Sequence, residues 1–288
     1  MQVALAGRLR DVTILYTGKF TNLHTLRDRK SMIQLDRAPL PQAKSTELAI
    51  SEHANDGLLI AILILTVWAS SLVFLVSLNV DKLPFYGVIP AMIWQTFLYT
   101  GLFVTAHDAM HRVVCPYNLK INNLVGWTSA LLYALFSFKK LSENHWQHHR
   151  YPAREHDPDF HDGTHTNFFA WYWQFIKTYW SWKRLLGLMV IYNLLTHTLQ
   201  IPEINLTLFW VIPSILSSAQ LFYFGSFLPH KEPKGGYNNP HHAQSSQFPI
   251  FWSFITCYHF GYHQEHHEYP HAPWWRLPAI YKLNKGIS

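Results

Sequence analysis

The chain has little charge and almost no cysteine. Only 14% of its 288 residues are charged, whereas ordinary soluble domains carry about 25%. Apolar residues make up 49% and aromatic residues 16%. The two cysteines, Cys115 and Cys257, are too few for a disulfide framework or an iron–sulfur cluster. The composition favours a membrane protein, and any metal site must use nitrogen and oxygen ligands.

The sequence also lacks a glycine-rich dinucleotide fingerprint following a strand, which argues against a bound nicotinamide or flavin dinucleotide. The formal net charge of +6 suits an anionic membrane leaflet or an acidic protein partner. Nothing in the pattern indicates nucleic acid binding.

Two uncharged runs open the apolar part of the chain: Leu58 to Val80, with 23 residues, and Leu83 to Ala106, with 24. Each is long enough to cross a bilayer. Asp81 and Lys82 form the turn between them. This hairpin crosses the membrane and returns, so His107 and His111 should lie at the end of its second helix.

A second hairpin is predicted from Leu185 to Ile201 and from Ile204 to Pro229. The first of these spans is near the lower limit of about 17 residues. Asn193 and His197 interrupt it, so we expect it to pack against protein rather than face lipid. The fold class is therefore predicted as all-α, an integral membrane protein with four transmembrane helices.

Orientation and domain organisation follow from the cations. The first 49 residues contain eight lysines and arginines, which predicts a cytosolic N-terminal segment, and Lys231 and Lys234 follow the last span. Both termini are then expected on the cytosolic side. We assign residues 1–54 to a polar, basic lead-in and residues 55–288 to the membrane domain.

Two further apolar stretches are not predicted to span. Ile121 to Phe138 is an uncharged run of 18 residues, but lysines flank it and it separates two histidine clusters that must meet on one membrane face. Phe168 to Trp182 is rich in tryptophan, tyrosine and phenylalanine, which favour headgroup depth. We expect interfacial or re-entrant helices at both.

Histidines form three clusters at the ends of these segments. The first is a pair four residues apart, and the other two repeat the pattern His-x-x-His-His, in which the rings lie within about 100° to 120° of helix arc. The members are His107 and His111, then His145, His148 and His149, then His263, His266 and His267. A repeated spacing on one side of the membrane indicates a shared metal centre.

Eight imidazoles exceed the four ligands of one tetrahedral metal, so two metals are predicted. Imidazole suits iron, copper, nickel and zinc alike. The carboxylate-bridged Glu-x-x-His pattern of soluble di-iron bundles is absent. A pair of non-haem irons in a cap at the membrane surface is the interpretation we prefer on chemical grounds.

Four carboxylates near the clusters are candidates to orient the imidazoles by accepting their free ring N–H groups. They are Asp108, Asp157, Asp159 and Glu265. Asp157 and Asp159 flank Pro158 and are equally typical of a loop turn. Seven other histidines are expected to be non-ligating: His156, His161, His165, His241, His242, His259 and His271.

The motifs resemble those of the membrane fatty acid desaturase and hydroxylase superfamily, and within it the bacterial type of β-carotene ketolase. The resemblance runs from about residue 55 to 280. It rests on His107-Asp-Ala-Met-His111, Asn144-His145-Trp-Gln-His148-His149, His156-Asp157-Pro158-Asp159-Phe160, Phe224-Gly225-Ser226-Phe227-Leu228-Pro229-His230 and Tyr262-His263-Gln-Glu-His266-His267.

The resemblance implies a di-iron, O₂-dependent enzyme that converts carbon 4 of a β-ionone ring to a ketone by two hydroxylations and loss of water. β-Carotene would give echinenone and then canthaxanthin, with zeaxanthin as a further candidate substrate. His230 joins the eight cluster histidines as a ninth ligand by the same likeness. Electrons would come from reduced ferredoxin, and the site would face the cytosol from a bacterial inner or thylakoid membrane, in contact with membrane lipid.

Alternatives remain at this stage. A carotenoid 3-hydroxylase, a fatty acid desaturase, or a sterol or alkane hydroxylase would use the same irons on another hydrocarbon. A metal transporter would need ligands along a path through the bilayer, which the spans lack, and a zinc hydrolase would leave too many histidines unused. The chain departs from the ketolase pattern at Arg112, where such enzymes commonly carry glycine.

Overall fold

The computed structural model describes residues 56–286, and the basic lead-in predicted at residues 1–54 lies outside them. The described residues form helices and contain no β-strand, so the all-α prediction is confirmed for this part of the chain. The helices are α1 (Asp56–Val76), α2 (Phe85–Met110), α3 (Leu119–Ala134), α4 (Phe138–Arg150), α5 (Phe168–Thr178), α6 (Trp182–His197), α7 (Glu203–His230), α8 (Ile250–Cys257), α9 (His263–Glu268) and α10 (Leu277–Lys285).

Three of these helices are long and apolar enough to cross a membrane: α1 with 21 residues, α2 with 26 and α7 with 28. They correspond to three of the four predicted spans. A short 3₁₀ turn at Val80–Lys82 lies between α1 and α2, where the sequence predicts the hairpin turn. Because α2 continues to Met110, its last turn carries His107, and His111 caps it.

The fourth predicted span corresponds to α6, which differs from expectation. Its 16 residues extend about 24 Å, less than the ~30 Å hydrocarbon core. No residue of α6 is buried, and Asn193 and His197 are exposed rather than covered by protein. Asn193 instead donates a hydrogen bond to the Met189 carbonyl within its own helix, at 2.8 Å. Local pairing therefore replaces the expected packing, and a fourth crossing remains a prediction.

Two π-helical turns interrupt α7, at Thr207–Val211 and Tyr223–Phe227. Each precedes a proline by two residues, Pro213 and Pro229. A proline ring collides with the carbonyl four residues earlier and supplies no N–H. Widening the helix at those carbonyls accommodates both prolines, and the second π turn leads directly into the short helical segment that ends at His230.

The uncharged run from residue 121 to 138 is not one helix. α3 ends at Ala134, Leu135 adopts a left-handed conformation with φ of 56°, and α4 begins at Phe138. This break agrees with the expectation that the run does not span. α3 packs along α2, and the Asn122 side chain donates to the Ala109 carbonyl at 2.8 Å.

An aromatic core holds the long helices together. Tyr258, after α8, stacks on Phe97 of α2 with ring centroids 4.4 Å apart, and Trp68 of α1 meets Tyr99 edge to face at 5.5 Å. Both tyrosines are buried. Such rings contribute about 0.5–1.5 kcal/mol per pair beyond their area, and here they hold the middle of α2 against α1 and against the segment after α8.

Candidate metal centre

The structure brings all nine predicted histidine ligands together, although they come from four separate elements. α2 and its cap supply His107 and His111, α4 supplies His145, His148 and His149, the end of α7 supplies His230, and α9 supplies His263, His266 and His267. Helical spacing explains the convergence within each element, since residues three or four apart share a face.

The first group consists of His107, His111, His145 and His266, whose ligand atoms all lie within 4.8 Å of one another. The Nε2 atoms of His111 and His145 are 2.7 Å apart, and those of His107 and His266 are 3.2 Å apart. His149 joins this group, with Nε2 2.9 Å from His266 and 3.1 Å from His145.

The second group consists of His148, His230, His263 and His267, all buried and again within 4.8 Å of one another. The Nε2 atom of His267 is 3.1 Å from those of His148 and His263. The two groups are adjacent, because the His149 and His267 rings lie with centroids 4.3 Å apart. The nine histidines thus form two neighbouring clusters of ring nitrogens.

These distances fit bound metal ions. Two nitrogens bound about 2.1 Å from one ion and 90° apart lie about 3.0 Å from each other. His230 gives a further indication: its Nδ1–H donates to the His242 carbonyl at 2.8 Å, while its buried Nε2 has no hydrogen-bond partner among residues 56–286. The carbonyl fixes the tautomer, so Nε2 presents a lone pair to the second group.

The electrostatics also suit metal binding, which requires neutral imidazole. Burial, and then the charge of neighbouring imidazoles, lowers the pKa of six of the histidines below the usual value: His111, His145, His149, His263, His266 and His267. At His148, burial acts in the same direction, but the Asp157 carboxylate outweighs it and raises the pKa.

Two of the four candidate carboxylates accept hydrogen bonds from ligand rings. Asp157 accepts from His148 Nδ1–H at 2.9 Å, and it also accepts the backbone N–H groups of Ala153 and Asp159. Asp157 therefore holds both the loop turn and the imidazole. Asp108 accepts from His107 Nδ1–H at 3.3 Å and from the Trp274 backbone N–H at 3.2 Å.

Asp159 and Glu265 have other partners. Asp159 accepts a hydrogen bond from the Tyr179 hydroxyl at 2.6 Å, and burial raises its pKa to about 6. It also lies within 4.8 Å of ligand atoms of His148 and Asp157. The sequence predicts that Glu265 accepts a hydrogen bond from an imidazole. Among the described residues, it instead accepts a hydrogen bond from the Ser245 hydroxyl. Ser245 in turn accepts the Gln264 N–H at 3.1 Å. Glu265 therefore anchors α9 as a whole rather than one ring.

The seven histidines predicted to be non-ligating belong to neither group of four. Among the seven, His259 has a distinctive environment. It is buried, its backbone is left-handed with φ of 63°, and burial lowers its pKa to about 4. It packs beside Phe254, Tyr262 and Trp274.

A cavity of about 450 Å³ opens against both groups. Two histidines of each group, His107 and His145 of the first and His148 and His263 of the second, line it together with Phe260. Apolar and aromatic side chains from α2, α3, α5, α6 and α7 form most of its walls. The polar Tyr172 hydroxyl, which donates to Ser218 at 3.2 Å, is one exception. A hydrocarbon ring fits this volume and chemistry.

Several groups that shape the centre were not predicted. The His242 carbonyl and the Trp274 N–H are backbone groups, which no side-chain pattern reveals. Tyr179 and Ser245 are remote in sequence from the carboxylates they contact. Tyr179 lies in the aromatic stretch predicted as interfacial, and that stretch was the only signal for it.

Comparison with known proteins agrees with this geometry. The fatty acid desaturase family matches over residues 83–200 and 164–287, well over half of the chain. No solved structure matches the chain.

Curated relatives carry ketolase names. A zeaxanthin 4-ketolase of Chlamydomonas reinhardtii is 36% identical over 246 residues, covering 81% of this chain and 54% of the relative. A β-carotene ketolase of a Paracoccus species is 43% identical over 185 residues, covering 64% and 75%. A β-carotene 4-ketolase of Haematococcus lacustris is 40% identical over 197 residues, covering 65% and 60%. The chain thus spans about half the length of the Chlamydomonas relative.

Proposed function

The chain belongs to the fatty acid desaturase family, and on that premise we propose that it is a carotenoid 4-ketolase. It would oxidise the C4 methylene of a β-ionone ring in two hydroxylations, after which the gem-diol loses water to leave a ketone. The observation that carries the proposal is the convergence of nine histidines beside an apolar cavity that four of them line. The ketolase names of the relatives support the choice of substrate.

A ring methylene has no acidic proton and no leaving group, so amino-acid side chains cannot activate it. Two irons with O₂ would supply the hydrogen-abstracting chemistry that side chains lack. Zinc has no redox chemistry and is excluded for this reaction. Each hydroxylation consumes one O₂, two electrons and two protons and releases one water, so one ketone requires two O₂ and four electrons.

The residues that would hold the irons are His107, His111, His145, His149 and His266 on one side and His148, His230, His263 and His267 on the other. Asp108 and Asp157 would keep His107 and His148 in the tautomer that directs Nε2 to the metal. Glu265 would act indirectly, by holding α9 against the loop that contains Ser245.

The cavity would bind one ring of the substrate and exclude water from it. Phe260, Met110, Tyr133, Phe103 and Phe136 line the cavity together with the histidines. Asp159, hydrogen-bonded to Tyr179, is the carboxylate among the cavity-lining residues and would hold a proton during loss of water. β-Carotene and echinenone are the proposed substrates, with zeaxanthin as a further candidate.

We further propose the membrane arrangement that the sequence predicts. α1, α2, α7 and α6 would cross the bilayer, with α6 as the short fourth crossing, and the di-iron cap would face the cytosol in a bacterial inner or thylakoid membrane. The exposed apolar faces of α1 and α6, including Leu59, Val73, Leu186 and Met189, would contact membrane lipid. Substrate would enter sideways from the lipid. Reduced ferredoxin is the proposed electron donor.

Pigment analysis tests this proposal. The chain is expressed in cells that accumulate β-carotene, and the carotenoids are separated and identified by mass and absorption spectra. Echinenone and canthaxanthin are expected from the parent chain, and neither from His148→Ala or His266→Ala. Zeaxanthin as the product would instead indicate a carotenoid 3-hydroxylase, and unchanged β-carotene with iron-loaded protein would direct the search to a fatty acid or another lipid.

A further inference from the structure

Trp146 lies between the metal centre and the protein surface. Its indole ring is 5.0 Å from the ring of His111 and 5.7 Å from that of His149, centroid to centroid. Its Nε1–H donates to the Met110 carbonyl at 3.3 Å. The residue is nevertheless 37% exposed. Trp146 thus contacts two candidate ligands and solvent at the same time.

Among the described residues, the only other non-histidine ring that contacts the candidate ligands is Phe260, which is 4.7 Å from His107. Phe260 is buried and lines the substrate cavity. The two aromatic contacts therefore have different surroundings. Phe260 lines the cavity, and Trp146 is exposed at the protein surface.

The surface around Trp146 is polar and mostly cationic. Lys139, Glu143, Trp146 and Arg150 follow one face of α4 at helical spacing and are all exposed. Glu143, Gln147, Arg150 and Tyr151 border a shallow depression beside the indole. Between residues 138 and 155, which cover α4 and the turn after it, the exposed charged residues are four cations and two anions: Lys139, Lys140, Arg150 and Arg154, with Glu143 and Glu155.

Arg112 adds an independent observation. It is exposed, and it follows the candidate ligand His111 with φ of 63°, in the left-handed region that favours glycine. It lies two residues after the Met110 carbonyl that binds the indole. An arginine here keeps an exposed cation two residues from the backbone group that binds Trp146, despite an unfavourable backbone conformation.

We propose that Trp146 and the cations around it form the docking surface for an acidic one-electron carrier protein, and that electrons enter the metal centre through Trp146. The inference rests on the proposed function, whose reaction requires four electrons per ketone. In each encounter the carrier loses one electron and one ferric ion becomes ferrous. Opposite charge steers the encounter, and a small interface suits a partner that must leave after each transfer.

The test uses the full-length, iron-loaded protein in lipid nanodiscs and reduced plant-type [2Fe–2S] ferredoxin as the probe. Binding is measured by surface plasmon resonance from low to high salt. Reduction of the irons is followed by stopped-flow absorbance, once with ferredoxin and once with dithionite, a small reductant that needs no docking surface. The variants are Trp146→Leu, Arg112→Gly, which keeps a residue suited to the left-handed backbone, and Arg150→Glu. Lys82→Glu is the matched control, since exposed Lys82 lies beyond the opposite end of α2.

Arg150→Glu and Arg112→Gly are expected to weaken ferredoxin binding, with Arg150→Glu by about tenfold at low salt, and to flatten its salt dependence. Trp146→Leu should weaken binding by about tenfold as well and lower the ferredoxin-driven rate further at saturating ferredoxin, with the dithionite rate unchanged. Lys82→Glu should behave as the parent.

Parent-like binding in Arg150→Glu and Arg112→Gly would overturn the docking surface. Parent-like reduction by ferredoxin in Trp146→Leu, or equal slowing with both reductants, would overturn the electron-entry role. No carotenoid is present in these assays. A protein that passes them yet forms no ketone in cells would therefore contradict the proposed function and not this inference.

Discussion

Arg112 has a left-handed backbone conformation, which is unfavourable for residues other than glycine. Its φ of 63° costs an L-residue about 1–2 kcal/mol, and the ketolases that the sequence resembles commonly carry glycine there. The structure explains that glycine: the chain must turn sharply after His111, which caps α2. The resemblance shows that Arg112 stands where glycine is common, and the dihedral angle explains why glycine suits this position.

Arg112→Gly is expected to stabilise the protein by about 1 kcal/mol, because the relief of backbone strain exceeds the added freedom of the unfolded chain. For a protein of this size the Tm should rise by roughly 2–4 °C. The measurement is thermal unfolding in detergent followed by circular dichroism. Arg112→Ala is the control, since it removes the same cation but keeps Cβ. An equal rise in both variants would show that charge, and not φ, is the cause.

Asp157 gives a second prediction at the scale of one residue. Its carboxylate fixes His148 through Nδ1, so Asp157→Asn should weaken metal retention by about 10–100-fold, the usual effect of losing such a partner. Iron content is measured by mass spectrometry after dialysis against graded chelator. Asp162→Asn is the matched control, because exposed Asp162 accepts, within the described part of the chain, only from Thr164 and His165 of its own turn. Equal iron loss in the two variants would remove Asp157 from the role proposed for it.

At the scale of the element, the periodicity of the sequence predicted the features that depend on residues close together in one helix. The spacing of the histidines placed each cluster on one helix face, and the uncharged runs placed α1, α2 and α7. What the sequence could not supply depends on long-range contacts or exact backbone geometry. Glu265 pairs with Ser245 across 20 residues, His259 is buried by three rings, and α6 leaves Asn193 exposed because the helix satisfies that side chain itself.

The packing of α3 against α2 depends on a glycine in α3, Gly126, because there is no room for a side chain at this position. A Cβ at Gly126 would lie 2.7 Å from the Ala109 Cβ and would also meet the Phe138 ring. Ala109 sits between His107 and His111, so any displacement of α2 moves two candidate ligands. Close approach at this glycine therefore links helix packing to the metal centre.

Gly126→Ala should lower the Tm and weaken iron retention together, because overpacking typically costs about 1–3 kcal/mol. Gly87→Ala is the matched control: Gly87 lies in the first turn of α2, and no atom of the described residues comes within 4 Å of its Cβ position. The same change there should therefore be neutral or stabilising. Thermal unfolding and iron content are measured on both. A stable Gly126→Ala variant with full iron content would contradict the link between packing and ligands.

At the scale of the whole molecule, the metal centre is where the separate elements meet. α2, α4, the end of α7 and α9 each contribute ligands, and a short helix such as α9, with six residues, has little stability alone. Metal ions that bind only the assembled centre stabilise the folded state by mass action. Folding and metal loading are therefore expected to be coupled.

Acidification should test this coupling. Six candidate ligands have a pKa lowered by burial and by one another, whereas in the unfolded chain their pKa is about 6.5. Below that value the unfolded chain binds more protons than the folded one, so stability falls as the pH falls. Three groups outside the spanning helices act in the opposite direction: His148, whose pKa is raised by Asp157, and Asp159 and Glu265, whose pKa values are raised by burial. They are three groups against six. We expect the Tm of metal-free protein to be lower at pH 5.5 than at pH 7.5. The iron-loaded protein should lose more, because protons also displace the metal. Thermal unfolding of both forms at the two pH values measures this, and a metal-free Tm that rises on acidification would contradict burial of neutral imidazoles in the folded centre.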